Sequence, residues 1–314
     1  MNRTRSRTLV PTAMAVVLGI LAASASTMAA APASYQTSAL KVEVIGKGQP
    51  MVFIPGLTCP GEAWRETATH YADRYQCHLV TLAGFGGTPR FEGPFIDTAR
   101  DSLLAYFKAR HLTRPVIVGH SLGGVLAMEL ATTAPEAVGP LVIVDALPFL
   151  GGAGDTSATA ESARQRMEPM WKMMRSQTQE AYVAYQKNAP YLRSMVAPGP
   201  NFDRVLEWAT TADRIAVADA MYDISSRDLR DRLPGLRSPM LVLGSWYGMK
   251  EFSTKDAIEA TFRRQYARAP QWTLALADTA RHFIMLDSPQ WTWTQMDTFL
   301  GAAGPSGRTS AKTR

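Results

Sequence analysis

From Val116 to Leu130 the chain reads Val-Ile-Val-Gly-His-Ser-Leu-Gly-Gly-Val-Leu-Ala-Met-Glu-Leu, and no other stretch restricts the fold so tightly. A β-branched run feeds into Gly119-His120-Ser121-Leu122-Gly123 and then into a helical pattern, so Ser121 falls on a sharp turn between strand and helix. To hold a serine there with its hydroxyl above the sheet, the residues two before and two after must have almost no side chain. Gly119 and Gly123 satisfy that. At ordinary glycine and serine frequencies the pentapeptide arises by chance in roughly one chain of this length in ten, so the motif alone is weak. The strand before it and the helix after it mark it as a nucleophile elbow, with an ordinary glycine-rich turn as the alternative.

The 314 residues, 46% hydrophobic and 19% charged, suffice for one large or two small domains with a sizeable core, and fit neither a fibre nor a disordered chain. The formal net charge of +6 is terminal. Arg3, Arg5 and Arg7 lie at one end, Arg308, Lys312 and Arg314 at the other, and neither stretch contains an acid. With a near-neutral body, a nucleic-acid or anionic-membrane partner has no electrostatic support. Residues 1–33 read as a secretory signal: a basic opening, an apolar run from Leu9 to about Ala23, then cleavage sites after Ala25, Ala29 or Ala33. That run is short for a bilayer span, so the expectation is an exported, periplasmic or secreted protein without stable membrane insertion after cleavage.

Short buried runs alternate with helical patterns along the body. The strands are Met51 to Ile54, His78 to Leu82, Val116 to Val118, Leu141 to Val144, Met240 to Leu243 and Trp272 to Leu276. An alternating segment, Ala39 to Val44, precedes them, ending at a hairpin-like turn, Gly46-Lys47-Gly48. Helices are expected from Gly61 to Tyr75, Asp97 to Ala109, after Ser121, and from Pro289 to Leu300. This alternation implies an α/β fold, a mostly parallel central sheet with helices on both faces. Between residues 147 and 233 the pattern is helical without strands, which reads as a cap inserted over a core of residues 34–146 and 234–302. Residues 303–314 read as a disordered tail. Cap residues Met170, Trp171 and Met174, with Trp246 beyond β-strand Met240 to Leu243, are candidates for lining an apolar substrate pocket, the alternative being that they pack the cap. Cys59 follows one strand and Cys77 precedes the next, opposite edges of a parallel sheet, so both are expected to be free thiols.

These residues resemble the α/β-hydrolase family over roughly Lys41 to Leu300. The matched pieces are Phe53-Ile54-Pro55-Gly56-Leu57, Gly84-Phe85-Gly86-Gly87-Thr88, the Gly119 to Gly123 elbow, and His282 near the end. The resemblance implies an oxyanion hole built from the backbone N–H groups of Leu57 and Leu122. It departs from the family in having Pro55-Gly56 for the usual His-Gly, and in lacking a carboxylate from Ser245 to Lys250, the loop where many members carry their catalytic acid.

A serine hydroxyl needs a base. Of five histidines, His70 lies on a helix, His78 and His111 precede strands at the far edge, and His120 should point into the packing beneath the elbow. His282, after the last strand, reaches the serine's edge. For the orienting acid, Asp145 at the end of the strand Leu141 to Val144 leads, with Glu251 and Asp256 as alternatives. The reading is a serine hydrolase that cleaves a small, fairly apolar carboxylic ester or related acyl substrate through an acyl-enzyme. A carbon–carbon bond hydrolase or lyase with the same triad, or a ligand-binding protein that does not turn over, are the alternatives. Relatives of this architecture with an aspartate nucleophile are disfavoured by serine at position 121. No metal cluster, phosphate loop or flavin signature appears, so no cofactor or metal is expected, and oligomeric state is open.

Overall fold

The computed structural model describes residues 34–303; the signal-peptide reading of 1–33 and the tail from 304 onward lie outside them. Eight strands form one sheet: β1 (Ser34–Gln36), β2 (Leu40–Gly46), β3 (Gln49–Ile54), β4 (Tyr75–Leu82), β5 (Val116–His120), β6 (Leu141–Val144), β7 (Met240–Ser245) and β8 (Trp272–Ala277). Their order across the sheet is β1-β2-β4-β3-β5-β6-β7-β8. The β1–β2 and β2–β4 pairs are antiparallel, and every pair from β4–β3 to β7–β8 is parallel.

The central strands are apolar throughout because both faces are covered. On β3, Val52 and Ile54 enter one core with β5 Ile117 and β6 Ile143, while Met51 and Phe53 enter the other with Val116, Val118 and Val144. The first face is covered by α2 (Phe95–Ala109), through Ala99 and Leu103, and α3 (Leu122–Thr133), through Leu126 and Leu130. The second is covered by α1 (Arg65–Tyr71), which contributes Ala68 and Tyr71. Each fully buried large side chain contributes about 1.5–3 kcal/mol, and the alternation of side chains along a strand divides that burial between the two layers.

Two strand expectations are corrected. The Gly46–Gly48 turn does not close a hairpin, because β4 lies between β2 and β3. The turn instead passes over the start of β4: a Cβ at Gly46 would lie 2.5 Å from the carbonyl oxygens of Ala72 and Tyr75, and one at Gly48 2.3 Å from that of Arg74. Both have positive φ, +75° and +116°, so these glycines serve a chain crossing rather than a two-strand turn. Also, β4 starts at Tyr75, not His78, because pairing on both sides, Gly46 with Gln76 and Gln49 with Tyr75, extends the ladder beyond its apolar run. Cys77 and His78 are therefore inside the strand and buried.

Between β6 and β7 run α4 (Ala160–Ser176), α5 (Gln179–Asn188), α6 (Tyr191–Met195), α7 (Pro200–Thr211) and α8 (Arg214–Ser226). Local sequence starts several of them. Thr159 and Ser162 form a reciprocal capping box on α4, Thr178 caps α5, and Asp213 accepts from the N–H groups of Ile215 and Ala216 at the head of α8. After α8, Arg227 reaches Glu129 of α3 at 2.9 Å, Asp97 of α2 at 3.1 Å and Asp223 at 2.9 Å. The Glu129 side chain is fully buried and also meets Arg232 at 2.8 Å. A buried carboxylate is tolerated because cations surround it, and that pairing ties the end of α8 to the sheet layer.

Three helices complete the described residues: α9 (Lys255–Gln265), α10 (Ile284–Asp287) and α11 (Pro289–Ala303). Phe262 of α9 packs on the α2–α3 face, and Ile284 of α10 with Met296 of α11 packs on the α1 face. Among the described residues no helix is long and apolar enough to cross a membrane.

Candidate active site

Register brings the site together. His120 at the end of β5 pairs with Val144 at the end of β6, so the residues that follow, Ser121 and Asp145, leave adjacent parallel strands at the same edge. Ser121 N–H donates to Val144 O at 2.9 Å, and Asp145 N–H to Leu243 O at 2.7 Å. Both residues have positive φ, Ser121 at 52° and Asp145 at 48°. For side chains other than glycine this conformation costs about 1–3 kcal/mol each, and it turns both off the ends of their strands. The flanking glycines are required by contact: a Cβ on Gly119 would lie 2.2 Å from Gly123 O, and one on Gly123 2.1 Å from Ile54 O.

His282 arrives from the loop after β8. Its Nδ1 is 2.7 Å from Asp145 Oδ2. Asp145 receives two more hydrogen bonds from the residue that ends β7: Ser245 N–H to Oδ1 at 2.7 Å and Ser245 Oγ–H to Oδ2 at 2.7 Å. The carboxylate is thus oriented by three donors, and His282 is left with Nε2 as its free ring nitrogen. The alternative acids are elsewhere. Glu251 is exposed in the turn after β7, and Asp256 is exposed in the first turn of α9.

The other histidines lie where other contacts hold them. His70 stacks on Trp293 with ring centroids 4.3 Å apart. His111 is exposed in a turn with φ of 53°. His78, placed by sequence before a strand, is within β4 with Tyr106 Oη at 2.6 Å from its Nδ1 and Gln76 Oε1 at 3.1 Å from its Nε2. His120 is fully buried beneath the elbow, and it does more than fill space. Its Nε2–H donates to His282 O at 3.1 Å, and its ring lies 4.5 Å from that of His282. Burial, then the neighbouring His282, pushes the His120 pKa well below its ordinary 6.5, so it is a neutral ring with the proton on Nε2.

The loop after β3 packs on the same point. A Cβ at Gly56 would lie 2.7 Å from His120 Nδ1 and 3.3 Å from Ser121 Cβ, so the backbone leading to Leu57 runs against the serine. The turn is closed by Cys59 N–H to Gly56 O at 3.2 Å, with Thr58 at φ of 69°. Leu122 is the first residue of α3, where N–H groups have no partner within the helix. Cys59 and Cys77 are free, and desolvation pushes each thiol up to about 12. Neither is a ready nucleophile near neutral pH.

The candidate pocket residues are dispersed. Met170 is 41% exposed. Trp171 donates its indole N–H to Asp219 at 2.7 Å and packs against Tyr222 and Arg175. Met174 packs against the core. These contacts favour the packing alternative for α4, because the helix closes on α8. Trp246 differs: it follows Ser245 at the serine's edge, and its buried indole Nε1 has no hydrogen-bond partner. An open cleft of about 620 Å³ lies between the Gly84–Arg90 loop and Thr211–Ile215, with none of these four residues in its walls. Sequence reasoning missed Ser245, whose polarity at the end of a buried strand was the available signal, and the second role of His120.

A profile of the alpha/beta hydrolase family matches residues 51–294. The chain is 28% identical to a pimeloyl-[acyl-carrier protein] methyl ester esterase of Aeromonas salmonicida, covering 80% of this chain and 95% of the relative. It is 24% identical to an N-formylmaleamate deformylase of Pseudomonas putida, over 82% and 88% of the two chains. Among solved structures, a hydrolase from Pseudomonas aeruginosa superposes with a TM-score of 0.71 at 18% identity, over 87% of this chain and all of the other.

Proposed function

Starting from a chain that belongs to the alpha/beta hydrolase family, we propose that it is a serine hydrolase of small, fairly apolar carboxylic esters or related acyl compounds. Ser121 is the nucleophile, His282 the base and Asp145 the orienting acid. The observation that carries this reading is the 2.7 Å bond from His282 Nδ1 to Asp145, at the sheet edge where the strained Ser121 turn ends β5.

His282 Nε2 takes the proton of Ser121 Oγ as the oxygen attacks the acyl carbon. The carbonyl electron pair moves onto oxygen, which faces the N–H groups of Leu57 and Leu122. Donors so placed are each worth about 10²–10³ in rate. Collapse breaks the bond to the leaving alcohol, which takes the proton from His282. Water then gives a proton to the same imidazole and attacks the acyl carbon; collapse breaks the bond to Ser121 Oγ, which takes that proton back from His282 as the acid is released. Asp145, accepting from Nδ1, holds the ring with Nε2 towards the serine. The esterase and deformylase relatives support hydrolysis of an acyl bond, and the basic, then apolar, opening of residues 1–33 supports export.

The test uses chain recovered from the exported fraction, its first residue read by terminal sequencing. It is assayed with short and long p-nitrophenyl esters and labelled with a fluorophosphonate. Turnover of short esters and labelling, both abolished by Ser121→Ala, are expected. Folded protein that neither labels nor hydrolyses an ester overturns the reading.

A further inference from the structure

The loop carrying His282 is fastened to the segment between α6 and α7, and we propose that Asp287 is the positioning residue through which that segment holds His282 at Ser121. The inference rests on the reading of His282 as the base. Asp287 closes α10 and uses both oxygens. Oδ2 accepts from the backbone N–H of Arg281 at 2.9 Å, and Oδ1 from the backbone N–H of Ala197 at 3.0 Å. A single carboxylate therefore bridges the residue before His282 and the α4–α8 insertion.

The bonds around it run between the same two segments. Phe283 N–H donates to Met195 O at 3.0 Å. The Arg281 guanidinium donates to Arg193 O at 2.6 Å and to Val196 O at 2.9 Å. Asn201 Nδ2 donates to Leu286 O at 3.0 Å. Both chain neighbours of His282 are thus held through their backbone N–H groups, Arg281 by Asp287 and Phe283 by the insertion itself. The His282 carbonyl is held from the other side by His120. The base is fixed between two references, the elbow strand and the insertion, and Asp287 is the side chain of α10 that joins its loop to the second.

A carboxylate is required because both of its partners are donors. In Asp287→Asn the amide nitrogen must face one of the two backbone N–H groups, so either Arg281 or Ala197 loses its acceptor. The imidazole moves with its backbone, and a misplacement of about 1 Å costs on the order of 10²-fold in rate. Binding should be altered less, since both Asp287 oxygens are engaged by backbone N–H groups.

The experiment measures kcat and KM for p-nitrophenyl butyrate with wild type, Asp287→Asn, Asp287→Glu and Arg281→Met. Competent sites are counted by fluorophosphonate labelling taken to completion. Asp287→Asn should lose about 10- to 100-fold in kcat per labelled site with KM within about twofold. Asp287→Glu, which keeps both acceptor oxygens, should restore part of that loss, and Arg281→Met should show a smaller loss of the same kind. A carboxylate that only stabilises the fold lowers the number of competent sites and leaves kcat per site unchanged, and that result overturns the proposal. Should Asp287→Asn fail to fold, Asp287→Ser, which cannot accept from both backbone N–H groups at once, decides: unchanged kcat per site overturns it equally. Wild-type protein that neither labels nor turns over would instead defeat the assignment of Ser121 and His282, a failure visible before any substitution is made.

Discussion

Asp145→Asn is the substitution whose consequence the structure constrains most closely. The carboxylate accepts Ser245 N–H at Oδ1, and Ser245 Oγ–H with His282 Nδ1–H at Oδ2. An asparagine must put its NH₂ at one of these two places. At Oδ1 it would face a backbone N–H that cannot reorient, leaving two donors 2.7 Å apart. At Oδ2 it meets a hydroxyl that can rotate to accept and an imidazole that can shift its proton. The second orientation wins, and it turns His282 into the tautomer with Nδ1 accepting and Nε2 protonated. That ring cannot take a proton from Ser121. The expected loss is the one associated with a wrong tautomer in a Ser-His-Asp arrangement, about 10⁴-fold in kcat, or about 5 kcal/mol of barrier. Shape and most hydrogen bonds are retained, so the melting temperature should change little. The assay is steady-state turnover of a p-nitrophenyl ester by wild type, Asp145→Asn and Glu251→Gln, with thermal melts in parallel. Glu251→Gln should keep wild-type turnover. Asp145→Asn activity above about a tenth of wild type, or a comparable collapse in Glu251→Gln, refutes the tautomer argument.

Two further outcomes concern stability. A Cβ added at Gly123 would lie 2.1 Å from Ile54 O and 2.7 Å from Pro55 O, backbone atoms of the oxyanion loop, whereas Gly154 has no atom within 4 Å of that position. Gly123→Ala should cost about 3 kcal/mol and roughly 6–12 °C in melting temperature, while Gly154→Ala leaves it within about 2 °C; equal melts would contradict the close approach. His78 is buried, and desolvation, helped by Arg110, lowers its pKa from 6.5 to about 4. The folded state therefore keeps it neutral where the unfolded chain binds a proton. Its contribution is present in full above pH 6.5, declines as pH falls towards 4 and levels off below, about 3 kcal/mol in all. Urea midpoints at pH 7, 5 and 4 should fall, and fall less in His78→Gln; the same pH dependence in both proteins would show that this ring is not a source of it.

The amino-acid order alone determined the elements that need only local information: a β-branched run, two glycines spaced around a serine, a helix beyond, and apolar strands alternating with amphipathic segments. Those fix an α/β layering, because strands apolar on both faces must be covered on both. It also singled out His282 as the candidate base, since only one histidine follows the last strand. Order along the chain could not decide between Asp145 and Glu251. That choice depends on which strand ends lie side by side, and the β5–β6 register sets Asp145 beside Ser121 while Glu251 remains in an exposed turn. Local pattern failed in the same way at Gly46-Lys47-Gly48, where β4 comes between strands that a hairpin would have joined. At α4 it left two readings open, because apolar methionines and a tryptophan do not indicate which surface they will meet. Ser245, His120 and Asp287 are polar residues whose partners lie far away in sequence. Their roles exist only once the sheet edge, the loop after β8 and the inserted helices have converged, because a hydrogen bond is fixed by distance and direction in space.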